Sequence, residues 1–230
     1  ALEHWRSQAY DCAGVLIWHI NDCWPAISWA AVDYNLQPKA SWYYLQRAYA
    51  ADLVGYLQNY SIDYDPEQNA RGELFVASER EGTKTGVVEM QAMTVTGELF
   101  ATRHYPVALD GRGAVALGPL ALPDYKARRF DALAVLTLRW DDGSTVRNIY
   151  TYSRPKHMRL PEPQIRALQL DATRFKLRSD IFAKGVYLFH RDRTVVFDDN
   201  YFDLLPGEEK TITASAPVQI SEVKAIAYHH

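Results

Sequence analysis

The 230-residue chain is poor in cysteine, has no large surplus of either charge and contains no long apolar run, and each shortage removes a class of function. Lys and Arg number 25 against 28 Asp and Glu, giving a net charge of −3 and an isoelectric point near 6.2. That balance argues against a partner that is a nucleic acid, because phosphate-backbone binding needs clustered positive charge. No apolar run approaches the roughly 20 residues of a membrane-crossing helix, so a soluble protein without a membrane partner is expected. Cys12 and Cys23 flank a predicted strand. At about 3.3 Å per residue their Cα atoms lie beyond the roughly 7 Å that a disulfide spans, so free thiols are expected. The seven histidines, including the terminal His229-His230 pair, lack metal-type spacing with Cys or acidic residues. No Gly-rich phosphate loop, G-x-S-x-G elbow or H-E-x-x-H helix occurs. Repeats and low-complexity tracts are absent as well.

What the chain does have is apolar and aromatic content. Apolar residues make up 48%, which marks a globular chain, and there are 15 Tyr, 8 Phe and 6 Trp, five of the Trp within the first 42 residues. The sequence changes character twice. Residues 1–51 are dense in Trp and Tyr and read as helix end, strand, loop and helix. Gly14 precedes a near-continuous apolar run, Val15 to Asn21, which suits a parallel strand covered on both faces. Pro38 suits a first helical position, and helical spacing continues to Tyr49.

Residues 52–153 read as strands separated by turn signals: Gly86 to Val95 with a return through Phe100, then Phe130 to Trp140, Asp141-Asp142-Gly143-Ser144, and Thr145 to Tyr152. Two β-rich runs joined through Asp-Gly form a hairpin signal, and repeated strands at this spacing predict an antiparallel sandwich. A linker with three prolines in nine residues (Pro155, Pro161, Pro163) opens the last segment, 154–230. Strands are predicted there at Phe175 to Leu177, Val186 to His190, Thr194 to Phe197, Thr211 to Ala214 and Val223 to Tyr228. This gives a second sandwich near the lower size limit for folding alone.

One stretch is specific. Trp18-His19-Ile20-Asn21-Asp22-Cys23-Trp24-Pro25, with Asp33-Tyr34 and Pro38-Lys39-Ala40 following, resembles the W-x-x-N-D-C-W-P signature of the β-mannosidases of glycoside hydrolase family 2. Related exo-glucosaminidases tend to carry N-N-A-W-P here, so Asp22-Cys23 favours the mannosidases. Asp203-Leu204-Leu205-Pro206-Gly207-Glu208 resembles a loop of that family's C-terminal sandwich. The resemblance implies a mainly β chain: two immunoglobulin-like β-sandwich domains, 52–153 and 154–230, preceded at 1–51 by the last βα unit of a (β/α)8 barrel.

The resemblance also implies a retaining glycosidase, which needs two carboxyl groups about 5 Å apart, one protonating the leaving oxygen and one forming the glycosyl-enzyme. Both would lie upstream of residue 1. Glu3 precedes Glu67 as the only early glutamate and sits in a helical stretch ahead of the strand. The expectation is therefore the C-terminal part of a retaining exo-β-mannosidase acting on terminal β-linked mannose of oligosaccharides. It would need no metal or other cofactor, would be silent alone, and would have the N-terminal and barrel portion of the same enzyme as its partner. A non-catalytic carbohydrate-binding or structural module is the alternative, and another sugar specificity within the family a narrower one.

Four residues are the candidate sugar-contacting set. Trp18 falls on the strand whose C-terminal end would face a barrel's active site, where an indole packs on a pyranose; core packing is the plainer reading. Asn21 and Asp22 could hydrogen-bond sugar hydroxyls or orient a catalytic glutamate, or form an Asx turn at the strand's end. Trp24 would wall the pocket or make a rigid corner with Pro25. Trp29 and Trp42 are assigned to packing, Lys39 to a solvated first helical turn, and His19 to an outward, hydrogen-bonded position. In the sandwiches, Tyr56, Tyr60, Tyr64, Tyr150, Tyr152, Tyr201 and Phe202 could stack on glycans, although alternating aromatics more often build a core.

Overall fold

The structure, a computed structural model, describes residues 1–58 and 70–229. It is mainly β and divides into two units. The first comprises 1–15, 48–94 and 98–158, and the second 16–47, 95–97 and 159–230.

In the first unit, the expected helix end is α1 (Leu2–Ser7). Two antiparallel sheets follow. One orders β1 (Asp52–Gln58), β2 (Arg71–Ser78) and β5 (Gly113–Ala121) as β1-β2-β5. The other orders β3 (Thr83–Thr94), β4 (Leu99–Asp110), β6 (Ala132–Trp140) and β7 (Thr145–Thr151) as β4-β3-β6-β7. A short helix, α3 (Tyr125–Arg128), precedes β6; the helix α2 (Ala40–Ala48) is described with the second unit. The period-2 pattern puts Val54, Tyr56, Leu74 and Val76 of one sheet into a common core with Val88, Met90, Leu136 and Leu138 of the other. Leu53, Phe75 and Ala77 point the opposite way but are buried too, on the face that α1 contacts. Glu3 fastens α1 there: its carboxylate accepts hydrogen bonds from Tyr150 (2.8 Å) and Asn148 (3.0 Å). A helix this short has little stability of its own, so tertiary contacts of this kind hold it.

Gly86 faces Trp140 across β3 and β6 at a close approach; a Cβ there would lie 2.3 Å from the Arg139 carbonyl oxygen. At the hairpin end, the Lys84 ammonium donates to three carbonyls, those of Arg80, Gly82 and Gly111, at 2.6, 2.9 and 2.8 Å.

In the second unit, β8 (Ile165–Gln169), β9 (Arg174–Ser179) and β12 (Glu209–Thr213) order as β12-β9-β8. The strands β10 (Ala183–His190), β11 (Phe202–Leu204) and β13 (Val223–Tyr228) order as β11-β10-β13. Phe175, Leu177, Val186, Leu188, Phe202, Leu204 and Ile212 share its core. A bulge interrupts β10 at Gly185, whose φ of +60° suits glycine. Asp203 clamps the bulge, accepting from Lys184 Nζ (2.8 Å) and from the Gly185 amide (2.8 Å). Burial opposes the Lys184 charge most strongly, but the Asp203 carboxylate and Tyr44 together outweigh it and raise the lysine above its ordinary value. The Asp203–Glu208 loop is thus structural: Asp203 holds the bulge, and Glu208 accepts the Leu205 amide at 2.9 Å to close the turn.

Two expected strands do not form. Val15 to Asn21 carries no strand, only an isolated parallel bridge between Asn21 and Val32, so the βα unit of a barrel is not shown in this chain; its helix is present as α2. The physical reason is that a strand apolar on both faces needs covered faces and paired edges, and here Leu16 is 99% exposed and Ile20 53%. Thr194 to Phe197 likewise makes only a single bridge, between Phe197 and Ala214. The proline linker contains a 3-10 turn at Pro155–His157 and buries Met158 and Leu160.

Candidate functional site

The signature folds into an arch within the second unit. Val32 donates to Ile20 O (2.8 Å), Asp22 to Val32 O (3.1 Å), and Lys39 to Ala31 O (2.9 Å), so the chain from His19 to Lys39 doubles back on itself. Asp33 closes the return: its Oδ1 accepts the Asn35 and Gln37 amides at 2.8 and 2.9 Å, an Asx-type turn before α2. The helix is seated on its own sandwich. Tyr43, buried on its inner face, donates to the Phe197 carbonyl (3.2 Å), and burial pushes its phenol up to about 12. Arg47 binds Asp199 Oδ1 (2.5 Å) and the Asn200 carbonyl (2.6 Å).

The arch exposes its aromatics and buries one acid. Trp18, Trp24 and Trp29 are 80, 68 and 71% exposed, whereas Asp22 is only 6% exposed. Both Asp22 oxygens are engaged. Oδ2 accepts from Lys39 Nζ at 2.8 Å, Oδ1 accepts from the Ser28 hydroxyl, and His19 Nε2 lies 3.7 Å from Oδ1. The Lys39 ammonium and the Ser28 hydroxyl hold the carboxyl below the usual carboxylate range, outweighing its desolvation. His19 sits between two indoles, edge-on to Trp18 (centroids 5.9 Å, 78°) and tilted against Trp29 (6.4 Å, 58°). Asn21 is exposed, and its side-chain amide donates to the Asp22 carbonyl at 3.3 Å.

All four predicted residues therefore lie on one arch, three at the surface and Asp22 beneath it. Sequence reasoning missed Lys39, which is paired instead of solvated, and Ser28. The signal was available: Asp22 and Lys39 stand in the two separate pieces of the signature. Trp29 was expected to pack and is exposed; Trp42 is half-buried, with Tyr43 the buried residue of the helix.

The sandwich aromatics mostly pack. Tyr56, Tyr152 and Phe202 are buried. Tyr150 is half-buried and bonded to Glu3, and Tyr201 is half-buried and stacked on Tyr187 with centroids 4.8 Å apart. Tyr60 and Tyr64 lie outside the described residues. Both cysteines are free. Among the described residues no three His, Cys, Asp or Glu side chains converge on a metal-sized site.

Comparison with known proteins fits this geometry. Residues 71–157 match a family described as the mannosidase Ig/CBM-like domain, and residues 160–225 match the Ig-fold domain of mannosidases. The fold is thus a pair of immunoglobulin-like sandwiches of the mannosidase type. Among curated relatives, beta-mannosidase B of Aspergillus terreus is 30% identical over 225 residues, covering 91% of this chain and 26% of the relative. Beta-mannosidase B of Neosartorya fischeri is 29% identical over 223 residues with the same coverage. A crystal structure of a β-D-mannosidase from Dictyoglomus thermophilum superposes with a TM-score of 0.80 at 23% identity, over 99% of this chain and 28% of that one. An exo-chitosanase of Amycolatopsis orientalis shares the fold more distantly, with a TM-score of 0.64 at 14% identity over 99% of this chain and 33% of that one. Over its length the chain is similar to the C-terminal portion of the β-mannosidases of glycoside hydrolase family 2. It spans about a quarter of the length of the curated relatives it matches.

Proposed function

We propose that the chain is the C-terminal part of a retaining exo-β-mannosidase that removes terminal, non-reducing β-D-mannose. Residues 1–51 supply the last βα segment of the catalytic barrel, 52–153 the first sandwich and 154–230 the second. The observation that carries this reading is the arch, where the signature presents Trp18, Asn21 and Trp24 outward above Asp22. The names of the curated relatives support the substrate.

In this reading the acid/base and nucleophile glutamates come from upstream sequence. Trp18 and Trp24 wall the sugar, whose C–H face packs on an indole, and Asn21 reaches a hydroxyl. The run Val15 to Asn21 then takes its strand when barrel neighbours pair its edges, which also covers the exposed Leu16 and Ile20. The hydrogen bonds that Tyr150 and Asn148 donate to the Glu3 carboxylate support the upstream assignment of the glutamates.

The test is an aryl β-mannoside assay of the chain alone and mixed with the upstream portion of a related enzyme. The mixture turns over and the chain alone does not. Turnover by the chain alone would refute the assignment of the glutamates upstream. Folded halves that do not assemble, or that prefer an aryl β-glucosaminide, would refute the mannosidase reading.

A further inference from the structure

We propose that Asp22 is a positioning residue rather than a sugar ligand: the Lys39–Asp22–Ser28 cluster locks the arch and, through His19, fixes the indole of Trp18. This deepens the function proposed above and rests on it only for the identity of the sugar.

Three observations carry it. First, the side chain is 6% exposed and both its oxygens are engaged within the protein, one by Lys39 Nζ at 2.8 Å and the other by the Ser28 hydroxyl. Second, Lys39 also donates to the Ser28 carbonyl (3.3 Å) and Ser28 Oγ accepts the Ala30 amide (3.0 Å), so one ion pair ties together both limbs of the arch and its crown. Third, His19 lies 3.7 Å from the same carboxylate and edge-on to Trp18, giving a physical route from the buried charge to the exposed ring. A buried carboxylate whose cation is removed is left uncompensated, so losing either partner should disorder the same surface.

The two roles make different predictions. If Asp22 positions, Asp22→Asn, Lys39→Met and the double variant fall together, because all three break one interaction. In the chain mixed with its upstream portion, each lowers kcat/KM on the aryl β-mannoside by about tenfold, and Lys39→Arg recovers to within about threefold. If Asp22 binds sugar, Asp22→Asn alone is severe and Lys39→Met nearly silent. That result would overturn the proposal.

A second measurement needs no catalysis. In the 230-residue chain, with unfolding midpoints recorded to establish folding, Asp22→Asn and Lys39→Met lower tryptophan fluorescence anisotropy equally, and a Trp18→Phe background makes that fall smaller. Unchanged anisotropy in both variants, or a fall of undiminished size in the Trp18→Phe background, would refute positioning. A mixture that never turns over the mannoside would sink the functional reading, while the anisotropy result would still decide the role of Asp22.

Discussion

Replacing Gly86 by alanine tests how tightly the first sandwich is built. The added Cβ would meet the Arg139 carbonyl oxygen at 2.3 Å, with the Trp140 Cα and ring both at 3.0 Å. The nearest obstacle is backbone of the central pair β3–β6, so no side-chain rotation relieves it, and the strands must separate locally. Overpacking of this kind costs about 1–3 kcal/mol, and weakening a ladder hydrogen bond adds about 1 kcal/mol. Restricting the unfolded chain returns about 0.4–1 kcal/mol. The net loss is about 1–3 kcal/mol, which at a urea dependence of about 2 kcal/mol per molar lowers the midpoint by about 1 M. Gly14 is the control: a Cβ there meets nothing within 4 Å, and Gly14→Ala should stay within about 0.5 kcal/mol of the parent. Urea titration followed by circular dichroism reads both. A Gly86→Ala midpoint indistinguishable from that of Gly14→Ala would refute the close approach.

Three further perturbations follow from the polar groups. Asn200 copies a strand neighbour, its Oδ1 accepting the Leu188 amide (2.7 Å) and its Nδ2 donating to the Leu188 carbonyl (3.0 Å); Asn200→Asp loses the donor and should cost about 2 kcal/mol by urea titration, with Asn200→Gln not rescuing it. Burial pushes Tyr43 and Tyr201 up to about 12 and Tyr152 higher still. The folded state therefore retains protons that the unfolded chain releases above its tyrosine value of about 10, so stability is present below that pH and declines as pH rises toward 12. Tyr152→Phe, which also loses the bond to the Pro123 carbonyl (3.0 Å), should flatten this decline in alkaline melts. On the acid side, the Ser144 hydroxyl and amide, with Arg80, hold Asp142 at about 2. The stability it contributes is present above its unfolded value of 3.8 and is lost as pH falls toward 2. Ser144→Ala should move the Asp142 carboxyl upward in an NMR titration, and an unmoved carboxyl would refute the assigned cause.

The features legible in the sequence are those with local causes. Asp142-Gly143 between two β-rich runs announces the β6–β7 hairpin, and the run Gly86 to Val95 with its return through Phe100 announces the pairing of β3 and β4. Helix α2 followed from Pro38 and the spacing behind it. Val15 to Asn21 misled because an apolar run reports that a segment wants burial, not that partners are present. The site divided in the same way. That Trp18, Asn21 and Trp24 fall within one short segment is visible from spacing, but the burial of Asp22 is not, because its partner lies 17 residues away and is fixed only when the arch closes. Lys39 looked like a solvated first-turn residue since local helix rules describe the backbone it starts and say nothing of a carboxylate brought in from elsewhere.

The division of the chain has a consequence for anyone who cuts it. The polypeptide leaves the first unit after Val15, rejoins it at Ala48, departs briefly for Val95–Gly97 and leaves finally after Met158. Neither unit is a continuous stretch, so a boundary drawn at the proline linker would free 159–230 without the arch and α2, stripping Tyr43 and Arg47 from Phe197 and Asp199. Those pairings span some 150 residues of sequence, and loop-closure entropy must be met before they form, which favours slow, late assembly of the arch. Limited proteolysis during refolding should accordingly find the 16–47 segment cleavable after both sandwiches have become resistant.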